Sequence, residues 1–115
     1  MTTEAKVQVT GDVTQVSFDG PLVAGNGDAV LRDTLQELTE SGCRKVLLDL
    51  SDVPRLDSAG VGQLVASHRQ ATQRGVKVKV VGGSGRVWRV LELSDILPLL
   101  DTYPSEAEAL AAFEG

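Results

Sequence analysis

The stretch LDSAG at residues 56–60 joins two segments of different hydrophobic pattern. Residues 46–50 before it form a dense apolar run of strand length, whereas from Val61 onward apolar residues recur at helical spacing. This change of period places Asp57 and Ser58 at a helix N-terminus, on the carboxyl side of a strand. Ligands and partners usually bind at that edge of an open α/β sheet. Asp and Ser are also common helix N-caps, so the stretch alone leaves a purely structural role open.

The composition indicates one globular domain over residues 1–115 with an aliphatic core, since 42% of residues are hydrophobic and only 3% aromatic. A net charge of −5 disfavours binding to nucleic acid. The single cysteine, Cys43, and the single histidine, His68, exclude an internal disulfide and a Cys/His zinc site. The first residues carry no apolar signal-peptide core, and no apolar run is long enough to span a membrane. We therefore expect a cytoplasmic protein with no membrane or nucleic-acid partner.

The first half of the chain predicts a hairpin, a helix and a buried strand. Residues 7–9 and 13–18 alternate apolar and polar side chains, as the two strands of a tight hairpin do. Leucines at helical spacing predict a helix over residues 28–41. The apolar run at residues 45–50 predicts a central strand that is buried on both faces.

The second half predicts further alternation of helices and strands. Residues 76–80 alternate strictly, with the valines directed to the core and Lys77 and Lys79 directed to solvent or an edge. A third helix follows a glycine-rich loop, with Ser84 as its expected cap, and a short strand is expected near residues 99–100 before a C-terminal helix. The order ββαβαβαβα indicates an α/β fold, with a mixed sheet of four to five strands and four helices.

The residues favour no catalytic site. His68 is ten residues beyond Ser58 on the same helix, about 15 Å away, which is too far for it to act as the base of a serine nucleophile. The glycine-rich residues 82–86 match neither the dinucleotide-binding nor the P-loop motif. The aspartates between residues 49 and 57 form a poor magnesium site, because one of them lies within a strand. We therefore expect no enzyme activity, no cofactor and no metal.

Several motifs beyond the serine loop (residues 56–60) are shared with one family. A Leu-Asp-Leu strand end, a Ser-x-Val and a Val-Gly flank that loop within residues 46–62. Gly75-x-Lys77-Val78, Ser94-Asp95-Ile96 and Ser105-x-Ala107-x-Ala109-Leu110 follow it. With these motifs the chain resembles a STAS domain over residues 18–113, and within that family a stand-alone bacterial anti-sigma factor antagonist.

The resemblance implies a non-enzymatic switch in transcription regulation. Ser58 would be phosphorylated by a partner that is both an anti-sigma factor and a serine kinase. The unphosphorylated antagonist would sequester that partner and so release a sigma factor, and a phosphoserine phosphatase would reset the switch. The resemblance also implies an alternative, an accessory STAS subunit that docks on a lipid-transport ABC ATPase or serves as a stressosome-type scaffold, without phosphoserine switching. We expect the free protein to be a monomer.

The expected binding surface combines the serine loop, the start of its helix and a short apolar patch. Its residues are Asp57, Ser58, Ala59, Gly60, Val61, Gly62, Leu22 and Val23. For Leu22 and Val23, burial under the sheet is an equal alternative. The segment Gly20-Pro21-Leu22-Val23 departs from the Gly-Glu-Leu-Asp stretch that many family members carry, because it keeps the glycine and the leucine but lacks both acidic residues.

Overall fold

Five strands and four helices alternate along residues 2–82 and 85–114, the part of the chain that the computed structural model describes. In chain order they are β1 (Ala5–Thr10), β2 (Val13–Phe18), α1 (Asp28–Glu40), β3 (Lys45–Asp49), α2 (Ser58–Gln73), β4 (Lys77–Val81), α3 (Gly85–Leu93), a 3-10 turn (Leu97–Leu99), β5 (Thr102–Tyr103) and α4 (Glu106–Glu114). The predicted α/β class, element order and four helices are confirmed. The predicted cap Ser84 lies outside the described residues.

The strands form one mixed sheet in the order β1-β2-β3-β4-β5. β1 and β2 are an antiparallel hairpin, whereas β2, β3, β4 and β5 pair in parallel. The predicted central strand is confirmed, because Val46, Leu47 and Leu48 of β3 are completely buried. Parallel strands end at the same edge of a sheet, so the segments that follow β2, β3 and β4 meet at one edge, the carboxyl edge.

Two apolar layers cover the two faces of this sheet. On one face, α1, α2 and α3 contribute Leu35, Leu64 and Leu91 to the main core. On the other face, α4 packs Phe113 into a smaller cluster with Leu47 of β3. The middle of the sheet is thus buried on both sides, which explains why β3 and β4 are rich in valine and leucine.

Lys79 corrects the prediction for β4, because it faces neither solvent nor an open edge. The residue is 9% exposed, and its Nζ lies 2.8 Å from Asp101 Oδ2 and 3.1 Å from the Tyr103 hydroxyl. The ammonium also lies 5.0 Å from the Tyr103 ring centre and 5.1 Å from that of Phe113. Burial lowers the pKa of Lys79, but the hydrogen bonds to Asp101 and Tyr103 outweigh this effect, so its pKa is raised. Lys77, by contrast, is exposed as predicted.

The fifth strand also lies later than predicted. Leucines 99 and 100 belong to the end of the 3-10 turn and the residue after it, while the more polar Thr102 and Tyr103 pair with Val80 and Val81. Leu100 is buried as a core side chain without belonging to the sheet ladder. The apolar pair thus predicts neither strand pairing nor the environment of both residues, because Leu99 is exposed.

Candidate functional site

Ser58 is the first residue of α2 and lies at the carboxyl edge of the sheet, as the serine loop predicts. Asp57 precedes it as the N-cap residue, in an extended backbone conformation. The Asp57 Oδ1 atom accepts a hydrogen bond from the backbone N–H of Gly60 at 2.9 Å. This bond satisfies one of the amides at the start of the helix, so the structural role of Asp57 is real. The Ser58 side chain is left exposed.

Asp57 also connects the serine loop to a segment far away in sequence. Its second carboxylate oxygen, Oδ2, accepts a hydrogen bond from the backbone N–H of Ala24 at 3.0 Å. The two backbone hydrogen bonds, from Ala24 first and then from Gly60, hold the pKa of the Asp57 carboxyl below its ordinary value. Asp57 therefore stays charged and holds residues 22–24 against the start of α2.

Backbone contacts strengthen this connection. The Leu22 N–H donates to the Arg55 carbonyl at 3.0 Å, and Leu22 forms an isolated parallel bridge with Leu56. Gly60 packs so close to this segment that a Cβ atom there would overlap the Leu22 carbonyl oxygen and lie 2.8 Å from Leu56 Cδ1. The absence of a side chain at Gly60 is thus a requirement of packing.

Exposure divides the predicted binding residues into two groups. Leu22 is completely buried and Val23 is 8% exposed, so their side chains belong to the core and cannot form the apolar contact patch that we expected. Gly60 and Val61 are also buried. The accessible members are Ser58 and Gly62, which are exposed, and Asp57 and Ala59, which are half-buried.

Ala24 is the accessible residue that sequence reasoning did not select. It is exposed and lies beside Asp57 through the hydrogen bond of its backbone N–H. A backbone amide leaves no mark in the sequence, because every residue except proline carries one. The accessible surface therefore consists of Ala24 with Asp57, Ser58, Ala59 and Gly62.

The side chains of Asp57, His68 and Asp49 are engaged in other contacts, and both oxygens of the Asp57 carboxylate, next to Ser58, accept backbone N–H groups. The imidazole of His68 hydrogen-bonds through Nε2 to the Val78 carbonyl oxygen at 3.2 Å, and burial lowers its pKa. Asp49 is occupied by hydrogen bonds from the Ser51 N–H and the Gln15 amide. No cluster of His, Cys, Asp and Glu in the described ranges could hold a metal ion.

Sequence comparison places the chain among related proteins. A family model described as the STAS domain matches residues 4–109. The chain is 24% identical over 99 residues to the anti-sigma F factor antagonist of Paenibacillus polymyxa, and the match covers 86% of this chain and 85% of that protein. It is 30% identical over 105 residues to the bicarbonate transporter BicA of Synechocystis, covering 87% of this chain but 18% of the transporter. Among the described helices, none is both long and apolar enough to cross a membrane.

Structural comparison identifies the same fold. An anti-sigma factor antagonist from Mycobacterium paratuberculosis superposes with a TM-score of 0.87 at 22% identity, over 99% of this chain and 96% of the other. The anti-sigma factor antagonist SpoIIAA in its unphosphorylated form superposes with a TM-score of 0.76 at 18% identity, over 96% of both chains. At these identities the likeness shows a shared fold.

Proposed function

Because this chain belongs to the STAS domain family, we propose that it is an anti-sigma factor antagonist in which Ser58 is a phosphorylation switch. The unphosphorylated form binds an anti-sigma factor that is also a serine kinase, and a sigma factor is thereby released. The kinase transfers the γ-phosphoryl group of ATP to the Ser58 hydroxyl oxygen, with release of ADP and the hydroxyl proton, and the complex dissociates. A phosphatase then hydrolyses the phosphoserine to serine and inorganic phosphate. The observation that carries the proposal is the exposed Ser58 hydroxyl at the start of α2, with Asp57 fixed beside it.

The relatives support an antagonist more than a transport function. The Paenibacillus antagonist aligns with this chain over most of both proteins, whereas the chain spans only 18% of BicA. A match to one domain of a larger transporter is no evidence that this chain shares the activity of that transporter. The SpoIIAA structure is identified as an unphosphorylated form, which agrees with regulation by phosphorylation in that protein.

The position of Ser58 explains how a phosphate changes binding without unfolding the domain. A phosphoserine adds a charge of roughly −1.5 to −2 at pH 7. A helix N-terminus stabilises a negative group by about 0.3–1 kcal/mol, which offsets repulsion from Asp57 within the free domain. The Ser58 side chain is exposed, so the phosphate also displaces no core residue. The isolated phosphorylated domain should therefore keep its fold.

In the complex the same phosphate is unfavourable. It is pressed into an interface next to the Asp57 carboxylate, whose pKa is lowered and which therefore remains ionised. Desolvation and like-charge repulsion there cost about 3–4 kcal/mol, or roughly a few hundred-fold in dissociation constant. The interface is small, at or below roughly 1,600 Å² in total, as suits a complex that must dissociate.

The test is a binding titration of the purified anti-sigma factor kinase with four forms of the chain. We expect Ser58→Ala to bind like the unphosphorylated wild type, the phosphorylated protein to bind a few hundred-fold more weakly, and Ser58→Asp to be intermediate because it adds one charge. Ser41→Asp is the matched control, since Ser41 is exposed and lies at the C-terminal end of α1, away from the carboxyl edge. It should bind normally. A circular-dichroism melt of each form verifies the fold.

The same titration separates the switch from its rival, docking on a transporter ATPase without modification. Equal affinities of the phosphorylated, Ala and Asp forms would show that Ser58 is not an interface switch. Loss of the fold on phosphorylation would also contradict the proposal. Capture of a transporter ATPase from the native host, with no serine kinase and no phosphate on Ser58, would establish the rival function.

A further inference from the structure

We propose that β1 is a self-association edge, through which two copies of the chain pair their β1 strands in antiparallel fashion across a two-fold axis. β1 is the outermost strand of the sheet and, along the described residues, it pairs only with β2. Every residue of β1 after Ala5 is exposed. This surface is distinct from the accessible surface around Ser58, and its test does not depend on the proposed switch.

The free edge of β1 presents the backbone groups of Ala5, Val7 and Val9. The Glu4 carbonyl accepts a hydrogen bond from the Asp19 N–H at 3.2 Å, so Glu4 directs its backbone groups toward the β2 side. In an antiparallel ladder, successive residues direct these groups to opposite sides. The odd-numbered residues of β1 therefore direct their N–H and C=O groups outward, away from β2.

These three residues are symmetric about Val7. In an antiparallel pair with Val7 on the two-fold axis, Val7 lies opposite Val7 of the second copy, and Ala5 lies opposite Val9. Every outward N–H and C=O of the three residues then gains a partner. A two-fold axis makes the two surfaces identical, which is the commonest arrangement of homodimers.

The side chains of the edge are also suited to pairing with themselves. Val7 is 51% exposed and Val9 is 68% exposed, although both are large apolar residues. They lie opposite Val16 and Thr14 of β2, on the face of the sheet that α1, α2 and α3 cover. In the proposed pair, Val7 contacts Val7 of the second copy and Val9 contacts its Ala5, and a cross-strand contact between β-branched residues such as the two Val7 side chains stabilises a sheet.

The charge pattern and the sparse protection of the edge favour a second copy as the occupant. Lys6 is the only charged side chain of β1, and in this register it lies opposite the neutral Gln8 of the second copy. Natural edge strands are commonly protected by charged side chains, proline, bulges or short length; β1 carries a single charge, Lys6, but has 6 residues, no proline and a continuous register with β2. The paired strands bury less than roughly 1,000 Å², so the dimer is weak and the expected monomer prevails in dilute solution.

The experiment is sedimentation equilibrium of the full chain from about 10 μM to about 1 mM, the range in which so small an interface associates. We expect the average mass of the wild type to rise toward twice that of one chain. Val7→Pro should remain monomeric at the highest concentration, because it removes the central N–H of the edge and no bond to β2. Val7→Lys is a second variant in case proline disturbs folding, and it should also remain monomeric.

Leu99→Lys is the matched control, since Leu99 is 59% exposed and lies outside β1. It removes a comparable exposed apolar side chain and should associate like the wild type. Circular dichroism verifies that each variant is folded. A wild type that stays monomeric throughout, folded Val7 variants that associate normally, or loss of association in Leu99→Lys would each overturn the proposal.

Discussion

Two glycines of α2, Gly60 and Gly62, should respond in opposite directions to the same substitution with alanine. A Cβ at Gly60 would overlap the Leu22 carbonyl oxygen, whereas a Cβ at Gly62 would meet nothing within 4 Å. Overpacking costs about 1–3 kcal/mol, and a backbone carbonyl adjusts less easily than a side chain, so the upper value applies at Gly60. Alanine gains about 0.8–1 kcal/mol over glycine in a helix interior, and at most that amount at Gly60 in the first turn.

The net change in the free energy of unfolding is thus a loss of about 2 kcal/mol for Gly60→Ala and a gain of about 0.8 kcal/mol for Gly62→Ala. In a domain of this size, 1 kcal/mol shifts the Tm by roughly 4 °C. Thermal melts followed by circular dichroism should place Gly60→Ala about 8 °C below the wild type and Gly62→Ala about 3 °C above it. Equal shifts, or a Gly60→Ala variant as stable as the wild type, would refute the packing argument.

Two further predictions concern the buried residues Lys79 and His68. Lys79→Ala should lower the free energy of unfolding by about 1.5–3 kcal/mol, because Asp101 loses a charge-assisted hydrogen bond. Lys77→Ala, at the exposed start of the same strand, should change it little. Urea titrations compare the two variants, and similar losses would contradict the role of the Lys79 contacts. Burial lowers the pKa of His68 below its ordinary 6.5, so the unfolded chain binds the proton more readily and stability should fall as the pH drops through about 6.5. The loss of Tm between neutral and mildly acidic pH should be smaller in His68→Gln than in the wild type, and an unchanged pH dependence would assign the effect to other groups.

Much of the fold could be predicted because local patterns and tertiary environment agree. The apolar run of β3 and the leucines of α1 predict elements that the structure contains, since a strand covered on both faces is mostly apolar and a helix on the sheet buries one apolar side. The serine loop was placed correctly because a change from strand to helical period marks a helix start. In these segments, residues that are close in sequence are enough to indicate the secondary structure.

The predictions failed where distant residues determine the environment. Alternation in β4 gave no sign that Asp101 and Tyr103 would meet Lys79, because both lie more than twenty residues further along the chain. The burial of Leu22 likewise depends on Arg55 and Leu56, which it contacts only in the folded state. The hydrogen bond from Ala24 to Asp57 belongs to the same class of contact.

The two hydrogen bonds of Asp57 have a consequence for which form of the chain a modifying enzyme recognises. Ala24 and Asp57 are 33 residues apart, so a short peptide around Ser58 contains only one side of this contact. Under the proposed switch, Ser58 belongs to a discontinuous epitope that exists only in the folded domain. A kinase that recognises this geometry would not phosphorylate nascent or unfolded chains. All phosphorylated chains would then come from the folded population, whose members are competent to bind the kinase.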